Sequence, residues 1–296
     1  MSGQHSAPSH SLLHITDTHF VENRALLHDG VDSDAQLAQL FERVERSGHR
    51  PDAIVFTGDL ADQGHPEAYA RLRALVEPAA ERLGAKVIWC IGNHDARPAF
   101  REVLLDLEPT QDTIDAVHDI DGLRIVVLDT TIPGDHSGEV TEAQREWLRG
   151  VLAEPAPHGT ILALHHPPIP STLGILQYVE LADQDKLEEV ITGTDVRGVI
   201  AGHLHYTTIS TFGGVPLSVA AATCYSQDLF AEDGSMRGVN GGRSFNTINV
   251  YNDRVVHNAI PLEESPTLYE MSAERLRRYT EMTPEERLAA ASAHQD

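Results

Sequence analysis

The chain has 296 residues, with 45 acidic against 22 basic side chains and a formal net charge of −23 at pH 7. Such an acidic surface repels nucleic-acid phosphates and anionic membranes, so we expect neither as a partner. The length allows one large domain or two small ones with a sizeable core. Histidine occurs 17 times, which suggests a metal site because imidazole is a common metal ligand.

The N-terminal segment 1–10 is polar, and we expect it to be disordered. It shows neither the basic start nor the apolar stretch of a signal peptide, and no window approaches the roughly 20 apolar residues of a membrane span. Cys90 and Cys224 lie in apolar runs and are too few for a disulfide framework, which favours buried free thiols. We therefore expect a cytoplasmic protein.

Short apolar runs alternate with amphipathic helical patterns through the first two thirds of the chain, which is typical of an α/β fold. Leu37, Leu40, Phe41 and Val44 share one helical face, with a capping box at Ser33 and Gln36. Two further helices are predicted, one after Pro66 and one opening at Thr141 with Gln144 as its capping partner and Trp147, Leu148 and Val151 buried. Buried strands are predicted at 11–15, 52–57, 86–91, 123–129, 160–165 and 196–201.

The pattern changes after His205, where turn signals separate four further strands. We predict that these strands, at 207–212, 216–221, 245–251 and 254–260, add a mostly antiparallel sheet packed on the first. The Gly-rich segment 231–243 is expected to be a mobile loop. The expected organisation is one domain at 11–262 and a polar, partly helical extension at 263–296.

Polar motifs follow five of the predicted strands. In open α/β sheets ligands gather at the carboxyl ends of strands, so these motifs are expected to converge on one site. The motifs are Asp17-Thr18-His19, Gly58-Asp59, Gly92-Asn93-His94-Asp95, His165-His166 and Gly202-His203-Leu204-His205.

These motifs supply carboxylate, imidazole and amide ligands, a set that suits Mn, Fe, Zn or Co. No cysteine takes part, which excludes a cysteine-type structural zinc site. A pair of metal ions needs a bridging carboxylate, and Asp59 is the natural bridge because it follows a buried strand and a glycine. Most of these motifs alone are weak evidence and Gly-Asn-His-Asp is moderately specific, but their joint occurrence at strand ends is strong evidence for a two-metal site. His14 is expected either in the core or as a residue that contacts a ligand from behind, and His136 is a candidate substrate contact.

The motif series DTH at 17–19, GD at 58–59, GNHD at 92–95, H at 165 and GHLH at 202–205 resembles that of the calcineurin-like metallophosphoesterase superfamily. Within it, the stretches 51–62, 156–170, 193–206 and 219–229 are most similar to bacterial class III cyclic-nucleotide phosphodiesterases. The resemblance spans about Leu12 to Ile260. It implies a β-sandwich flanked by helices, in four layers ordered αββα.

The resemblance also implies residue roles. Asp17, His19, Asp59 and His205 would hold the first metal, often iron, and Asp59, Asn93, His165 and His203 the second, often Mn, Zn or Fe. An iron and manganese pair is the favoured combination. His94 would stabilise the phosphate and act as general acid, with Asp95 orienting it, while the role of His166 stays open. The expected substrate contacts are Asn93, His94, His136 and His205.

At two positions this chain differs from the motifs of other branches of the superfamily. Protein phosphatases of this superfamily carry an arginine where this chain has Gln63, so their bidentate phosphate clamp is missing. Purple acid phosphatases use a tyrosine ligand where this chain has Asp62. Both differences argue against membership of the protein phosphatase and purple acid phosphatase branches.

The implied reaction is attack of a metal-bound hydroxide on phosphorus, with the metals offsetting the developing charge. The expected substrate is 3′,5′-cyclic AMP, with cyclic GMP as a further candidate, and the product is the nucleoside 5′-monophosphate. 2′,3′-Cyclic nucleotides and aryl phosphodiesters are expected additional substrates. The alternatives are a glycerophosphodiester or other small-phosphodiester hydrolase, and an inactive scaffold of the same fold. Relatives form dimers, so a homodimer is expected.

Overall fold

The computed structural model describes residues 5–232, 235–283 and 285–287. Two compact units divide the chain, Met1–Glu263 and Glu264–Asp296. Residues 1–4 of the expected disordered segment, 233–234 of the expected loop and 284 and 288–296 of the expected extension lie outside the described residues. None of the helices in the described ranges combines the length and hydropathy of a membrane crossing.

Two mixed sheets form the centre of the first unit. The first has the order β13-β12-β1-β2-β3, with β1 at His10–Ile15, β2 at Ala53–Thr57, β3 at Lys86–Cys90, β12 at Ser244–Val250 and β13 at Val255–Pro261. The second has the order β4-β5-β6-β7-β9-β8. Its strands are β4 at Ala116–Ile120, β5 at Leu123–Leu128, β6 at Thr160–Leu164, β7 at Val196–Ala201, β8 at Thr208–Phe212 and β9 at Val215–Val219. A two-stranded ribbon pairs β10, Ser226–Gln227, with β11, Gly238–Val239.

Helices cover the outer faces of the two sheets. The α-helices of this unit are α1 at Ser33–Ser47, α2 at Pro66–Leu83, α3 at Arg97–Leu105, α4 at Glu142–Leu152 and α5 at Gln184–Ile191. Two 3-10 helices lie at Glu22–Arg24 and Gly174–Val179. In the second unit, α6 spans Ala273–Glu281.

Alternation along the strands produces three stacked cores. Leu13 on β1 packs with α1, α2 and α3, whereas its neighbour Leu12 points between the sheets. Leu162 on β6 packs with α4 and α5, and its neighbour Ile161 joins the core between the sheets. Because successive side chains alternate between faces, each central strand serves two cores. The four-layer αββα fold expected from the sequence is confirmed.

The late hairpins do not form the separate sheet that was expected. β12 and β13 extend the first sheet beside β1, and β8 and β9 extend the second beside β7. Pairing with open strand edges satisfies more backbone groups than a separate sheet packed face to face. The two late hairpins thus complete the two sheets of the sandwich.

Two local expectations need correction. Helix α1 is capped by Asp32, whose carboxylate accepts a hydrogen bond from Ala35 N at 3.0 Å, because the hydroxyl of Ser33 donates instead to the carbonyl of His19 at 2.9 Å. Strand β1 begins at His10, inside the segment expected to be disordered, because β12 offers a pairing partner at Val250. The capping box of Thr141 and Gln144 is confirmed.

The predicted helix faces are buried with one exception. The apolar faces of α1 and α2 lie in the outer core of the first sheet. In α4, Leu148 is fully buried, but Trp147 and Val151 are only partly buried at the edge of their core. Cys90 and Cys224 are both buried free thiols, as expected.

Candidate metal centre

The seven side chains that the sequence suggests as ligands come from loops after strands of both sheets. β1, β2 and β3 run parallel in the first sheet, and β6 and β7 run parallel in the second. Their carboxyl ends therefore meet at one rim of the sandwich. The loops carry Asp17 and His19 after β1, Asp59 after β2, Asn93 after β3, His165 after β6, and His203 and His205 after β7.

Five of these seven residues adopt the left-handed backbone conformation. A non-glycine residue there costs about 1–3 kcal/mol and persists only where the surroundings enforce it. Here the loops enforce it on each other, because Asp17 N donates to Gly58 O and His19 N donates to Asp59 O, both at 3.0 Å. The φ angles are +51° at Asp17, +44° at His19, +51° at Asp59, +75° at His203 and +57° at His205.

Glycines of the motifs let these loops approach closely. A Cβ at Gly92 would overlap both the backbone nitrogen and the carboxylate of Asp59. A Cβ at Gly202 would overlap the hydroxyl of Thr16 and the carboxylate of Asp17. Each glycine is therefore needed because a neighbouring carboxylate occupies the space that its side chain would fill.

The carboxylate of Asp59 lies between two imidazoles from different sheets. Its Oδ2 is 3.5 Å from Nε2 of His19 and 3.4 Å from Nε2 of His165. Its Oδ1 accepts a hydrogen bond from the backbone nitrogen of His94 at 2.8 Å. This placement lets one carboxylate face two groups of ligands at once.

The first group is formed by Asp17, His19, Asp59 and His205, all buried and close enough to share one ion. Nε2 of His205 lies 3.3 Å from Oδ1 of Asp17. Oδ1 of Asp17 and Nε2 of His19 are buried without a hydrogen-bond partner among the described residues. Buried polar atoms are nearly always satisfied, so these two orphaned atoms fit coordination of a cation.

The second group surrounds the side-chain oxygen of Asn93. This Oδ1 lies 3.0 Å from Nε2 of His165 and 3.0 Å from Nδ1 of His203. Together with Asp59 these residues offer one amide oxygen, two imidazole nitrogens and a carboxylate. Such a mixed set of oxygen and nitrogen donors suits the divalent ions Mn, Fe, Zn and Co.

The imidazole nitrogens that face away from the site bond to fixed oxygens. A carbonyl or carboxylate oxygen can only accept, so the ring nitrogen beside it carries the proton and the other nitrogen keeps its lone pair for a metal. The contacts are His19 Nδ1 to Asp62 Oδ1 at 3.1 Å, His165 Nδ1 to Thr57 O at 2.7 Å and His203 Nε2 to Val179 O at 3.0 Å.

Neighbouring imidazoles keep the buried carboxylates of the site ionised, as binding of a cation requires. Burial alone would raise the pKa of Asp59, yet the neighbouring His165 imidazole holds it well below its usual value. Burial likewise opposes ionisation of Asp17, and His205 lowers its pKa nonetheless. The pKa of His165 is raised against its burial to about 9, because Asp59 and Asp17 favour its charged form. Burial and the charge of His165 lower the pKa of His203 to about 3, so its imidazole is neutral.

His94 and His136 line the open side of the centre. The ring of His94 stacks edge-on against His19 at 4.8 Å and lies 5.2 Å from the ring of His136. Nδ1 of His94 donates to the carbonyl of Asp62 at 2.9 Å, and the amide nitrogen of Asn93 lies 2.9 Å from Nδ1 of His136. Both rings border a cavity of about 290 Å³ that is also lined by side chains of the two metal-ligand groups.

Asp95 does not contact the ring of His94 in the way the sequence suggested. Its carboxylate instead accepts a hydrogen bond from the hydroxyl of Tyr69 at 2.9 Å, and three backbone N–H groups donate to it as well. It therefore ties the loop after β2 to the loop after β3 and positions Asp59 relative to Asn93. The three backbone donors are Leu60 at 3.1 Å, Ala61 at 3.0 Å and Gly92 at 2.9 Å.

His166 is fully engaged inside the protein. Nδ1 lies 2.8 Å from Oγ1 of Thr130, and Nε2 donates to the carbonyl of His136 at 3.1 Å. A Cβ at Gly138 would overlap its ring. His166 thus supports the loop of His136 through these two contacts, and its ring lies beside those of His165 and His203, close enough for the three imidazoles to share an ion.

Sequence reasoning missed three residues that contact the metal-ligand histidines from behind. Asp62 fixes the ring of His19 and lies three residues after Asp59, a spacing that could have drawn attention to it. Cys224 places Sγ 3.9 Å from Nδ1 of His205, and the ring of Tyr225 lies 4.5 Å from that of His205. No local pattern in the sequence marks either contact, because about twenty residues separate the partners.

A family model described as Calcineurin-like phosphoesterase matches residues 10–207. The chain belongs to this family. It is 54% identical over 267 residues to a cAMP/cGMP dual specificity phosphodiesterase of Mycobacterium tuberculosis, covering 90% of this chain and 84% of that protein. It is 49% identical over 269 residues to a probable cyclic nucleotide phosphodiesterase of Rhodococcus erythropolis, covering 91% of this chain and 89% of that protein.

A solved structure of a dimetal phosphatase from Danio rerio has the same fold. The two match with a TM-score of 0.61 over 87% of this chain and 98% of that chain, at 16% sequence identity. At this identity the likeness concerns the fold alone.

Metal binding is predicted to release protons and to weaken as the pH falls. With Asp59 and Asp17 as its counter-charges, His165 is protonated below pH about 9, and its nitrogen must lose that proton to bind a metal. One proton released per ion weakens the apparent affinity about tenfold for each pH unit between 8 and 6. Calorimetric Mn²⁺ titrations of metal-free protein at pH 6, 7 and 8 measure the slope, and an affinity that stays constant would contradict the assignment of His165.

Proposed function

We propose that this chain is a dinuclear-metal phosphodiesterase that hydrolyses 3′,5′-cyclic AMP, and cyclic GMP with it, to nucleoside 5′-monophosphates. The observation that carries the proposal is the Asp59 carboxylate, buried between an imidazole of each sheet at 3.5 and 3.4 Å. The printed names of the two relatives, at 54% and 49% identity, support the choice of substrate.

Two metal ions fit the residues of the centre. Asp17, His19, Asp59 and His205 would hold one ion, and Asp59, Asn93, His165 and His203 the other. Ions bound there would lower the pKa of a coordinated water and neutralise charge on the phosphate. An iron and manganese pair is the combination we propose, since both ions accept this mixture of oxygen and nitrogen donors.

The protein's own side chains orient the phosphate and handle the proton of the leaving group. Nδ1 of His94 is committed to the Asp62 carbonyl at 2.9 Å, so Nε2 is the nitrogen left for the substrate. As an imidazolium, His94 would donate from Nε2 to a phosphate oxygen or to the departing 3′-alkoxide. Asn93 and His136, joined at 2.9 Å, would keep the phosphate between His94 and the ligands, with His205 as a further contact.

The same site suits other phosphodiesters. We propose 2′,3′-cyclic nucleotides and aryl phosphodiesters as additional substrates, because the ligands and His94 act on the phosphate rather than on its substituents. A glycerophosphodiester or other small phosphodiester is the alternative principal substrate. An inactive scaffold is disfavoured because all seven ligand side chains and His94 are present and converge. We also propose that the protein is a homodimer located in the cytoplasm. Light scattering of the purified protein tests the oligomeric state.

Purified enzyme is expected to prefer cyclic AMP over glycerophosphocholine in Mn²⁺, as measured by kcat/KM. Asp59→Ala and Asn93→Ala are expected to lower kcat/KM for cyclic AMP by more than about 100-fold and to reduce bound metal, because each removes a ligand. Asp121→Asn, in the exposed turn between β4 and β5, is the control and should retain activity.

Absence of cyclic AMP hydrolysis with any of Mn, Fe, Zn or Co would overturn the proposed substrate. Full turnover by Asp59→Ala would instead overturn the two-metal assignment. Circular dichroism of each variant, recorded beside its metal analysis, separates a lost ligand from a misfolded protein.

His94→Asn is expected to affect substrates according to their leaving groups. The 3′-alkoxide of cyclic AMP is strongly basic and needs a proton, so kcat should fall about 100-fold or more. The p-nitrophenolate released from bis(p-nitrophenyl) phosphate is weakly basic, so its kcat should fall less than about tenfold. Bound metal should not change, and His118→Asn on β4 serves as the control. Equal losses for the two substrates would show that His94 is not the general acid.

A further inference from the structure

The 3-10 helix Gly174–Val179 presents two large apolar side chains to solvent beside the metal centre. Tyr178 is 82% exposed and Ile175 is 55% exposed. Both border the cavity of about 290 Å³ that is also lined by His94 and by side chains of the two metal-ligand groups. Single apolar residues scattered over a surface need no explanation, but an exposed aromatic ring in the wall of a candidate site can contact a bound substrate.

This short helix is held in a fixed position relative to the ligands. The carbonyl of Val179 accepts a hydrogen bond from Nε2 of His203 at 3.0 Å. The carbonyl of Glu180 accepts another from the backbone of Gly138, at 3.1 Å, at the end of the His136 loop. Tyr178 directly precedes Val179, so its position depends on the same contacts that orient a ligand.

The charge of the cavity changes between its floor and this wall. The floor carries Asp59 and several imidazoles, whereas the run from Ser171 to Val179 has no charged side chain although the chain bears a net charge of −23. A ligand that suits both parts has a phosphate at one end and an uncharged, flat group at the other. A cyclic nucleotide has this division between its phosphate and its base.

Tyr225 also borders the cavity, but its ring already packs within the protein. It lies 4.5 Å from the ring of His205 and 5.2 Å from the ring of His28. The ring of Tyr178 contacts no other aromatic or histidine ring among the residues that the structure describes. Tyr178 is therefore the aromatic face available to a ligand.

We propose that Tyr178, with Ile175 beside it, is the surface on which the base of a nucleotide substrate stacks. The inference rests on the proposed function, since it names how the substrate's base is recognised. Stacking on an aromatic side chain accepts any base, which suits an enzyme that takes both adenine and guanine nucleotides. The stack exists in the bound substrate and in the transition state alike, so its loss raises KM and leaves kcat unchanged.

The test compares Tyr178→Ala and Tyr178→Phe in the metal-loaded full chain. Each is assayed with cyclic AMP and with ribose 3′,5′-cyclic phosphate, which lacks the base. Tyr178→Ala should raise KM for cyclic AMP about tenfold, with kcat unchanged and no effect on the base-free substrate. Tyr178→Phe should match the wild type because it keeps the ring. Ile209→Ala, an exposed apolar residue on β8, is the control.

Binding of AMP and ribose 5-phosphate gives a second readout that needs no turnover. Wild type should bind AMP more tightly than ribose 5-phosphate, and Tyr178→Ala should remove most of that difference. If wild type hydrolyses no cyclic nucleotide but Tyr178 still accounts for this difference, the proposed function fails and the stacking surface stands. If Tyr178→Ala matches the wild type in KM and in AMP binding, or loses activity equally on both substrates, the stacking surface is overturned.

Discussion

The structure depends on one buried anion, the carboxylate of Asp59, which needs cationic partners on two sides. Burying an ionised carboxylate is costly unless it is paired and hydrogen-bonded. Here His19 from the first sheet and His165 from the second face the same oxygen. The two sheets of the sandwich therefore meet at their rim around a charge, and metal ions bound there would supply the positive charge that the imidazoles alone provide only when protonated.

Several strained or crowded features near the rim follow from this arrangement. Left-handed backbone at five ligand residues turns their side chains toward one point, and close-approach glycines leave room for the carboxylates. Asp95 joins the loops after β2 and β3 through four hydrogen-bond donors, and burial together with the charge of Asp59 raises its pKa to about 6. The local conformational cost is offset by the hydrogen bonds between loops and by the large cores beneath them.

The sequence predicts the central architecture well where the physics is local. Alternating apolar runs indicate the strands, and the motifs at their ends identify the residues that the structure brings together. The late hairpins were misassigned to a sheet of their own because edge pairing, such as that of β12 with β1, joins residues more than 200 positions apart. The Ser33 cap was wrong by one residue because the hydroxyl has a better acceptor in His19, which is distant in sequence. Asp62 and His166 likewise bond to residues that are distant in sequence, so no local pattern marks these contacts.

The central claim is that Asp59 bridges two metal ions, and the magnetic coupling of bound Mn²⁺ tests it most directly. Metal-free protein is loaded with Mn²⁺, its bound metal is counted and its electron paramagnetic resonance spectrum is recorded. The account predicts two ions per chain and the multiline spectrum of an exchange-coupled pair. A single ion per chain, or two ions with the six-line spectrum of isolated Mn²⁺, would contradict it.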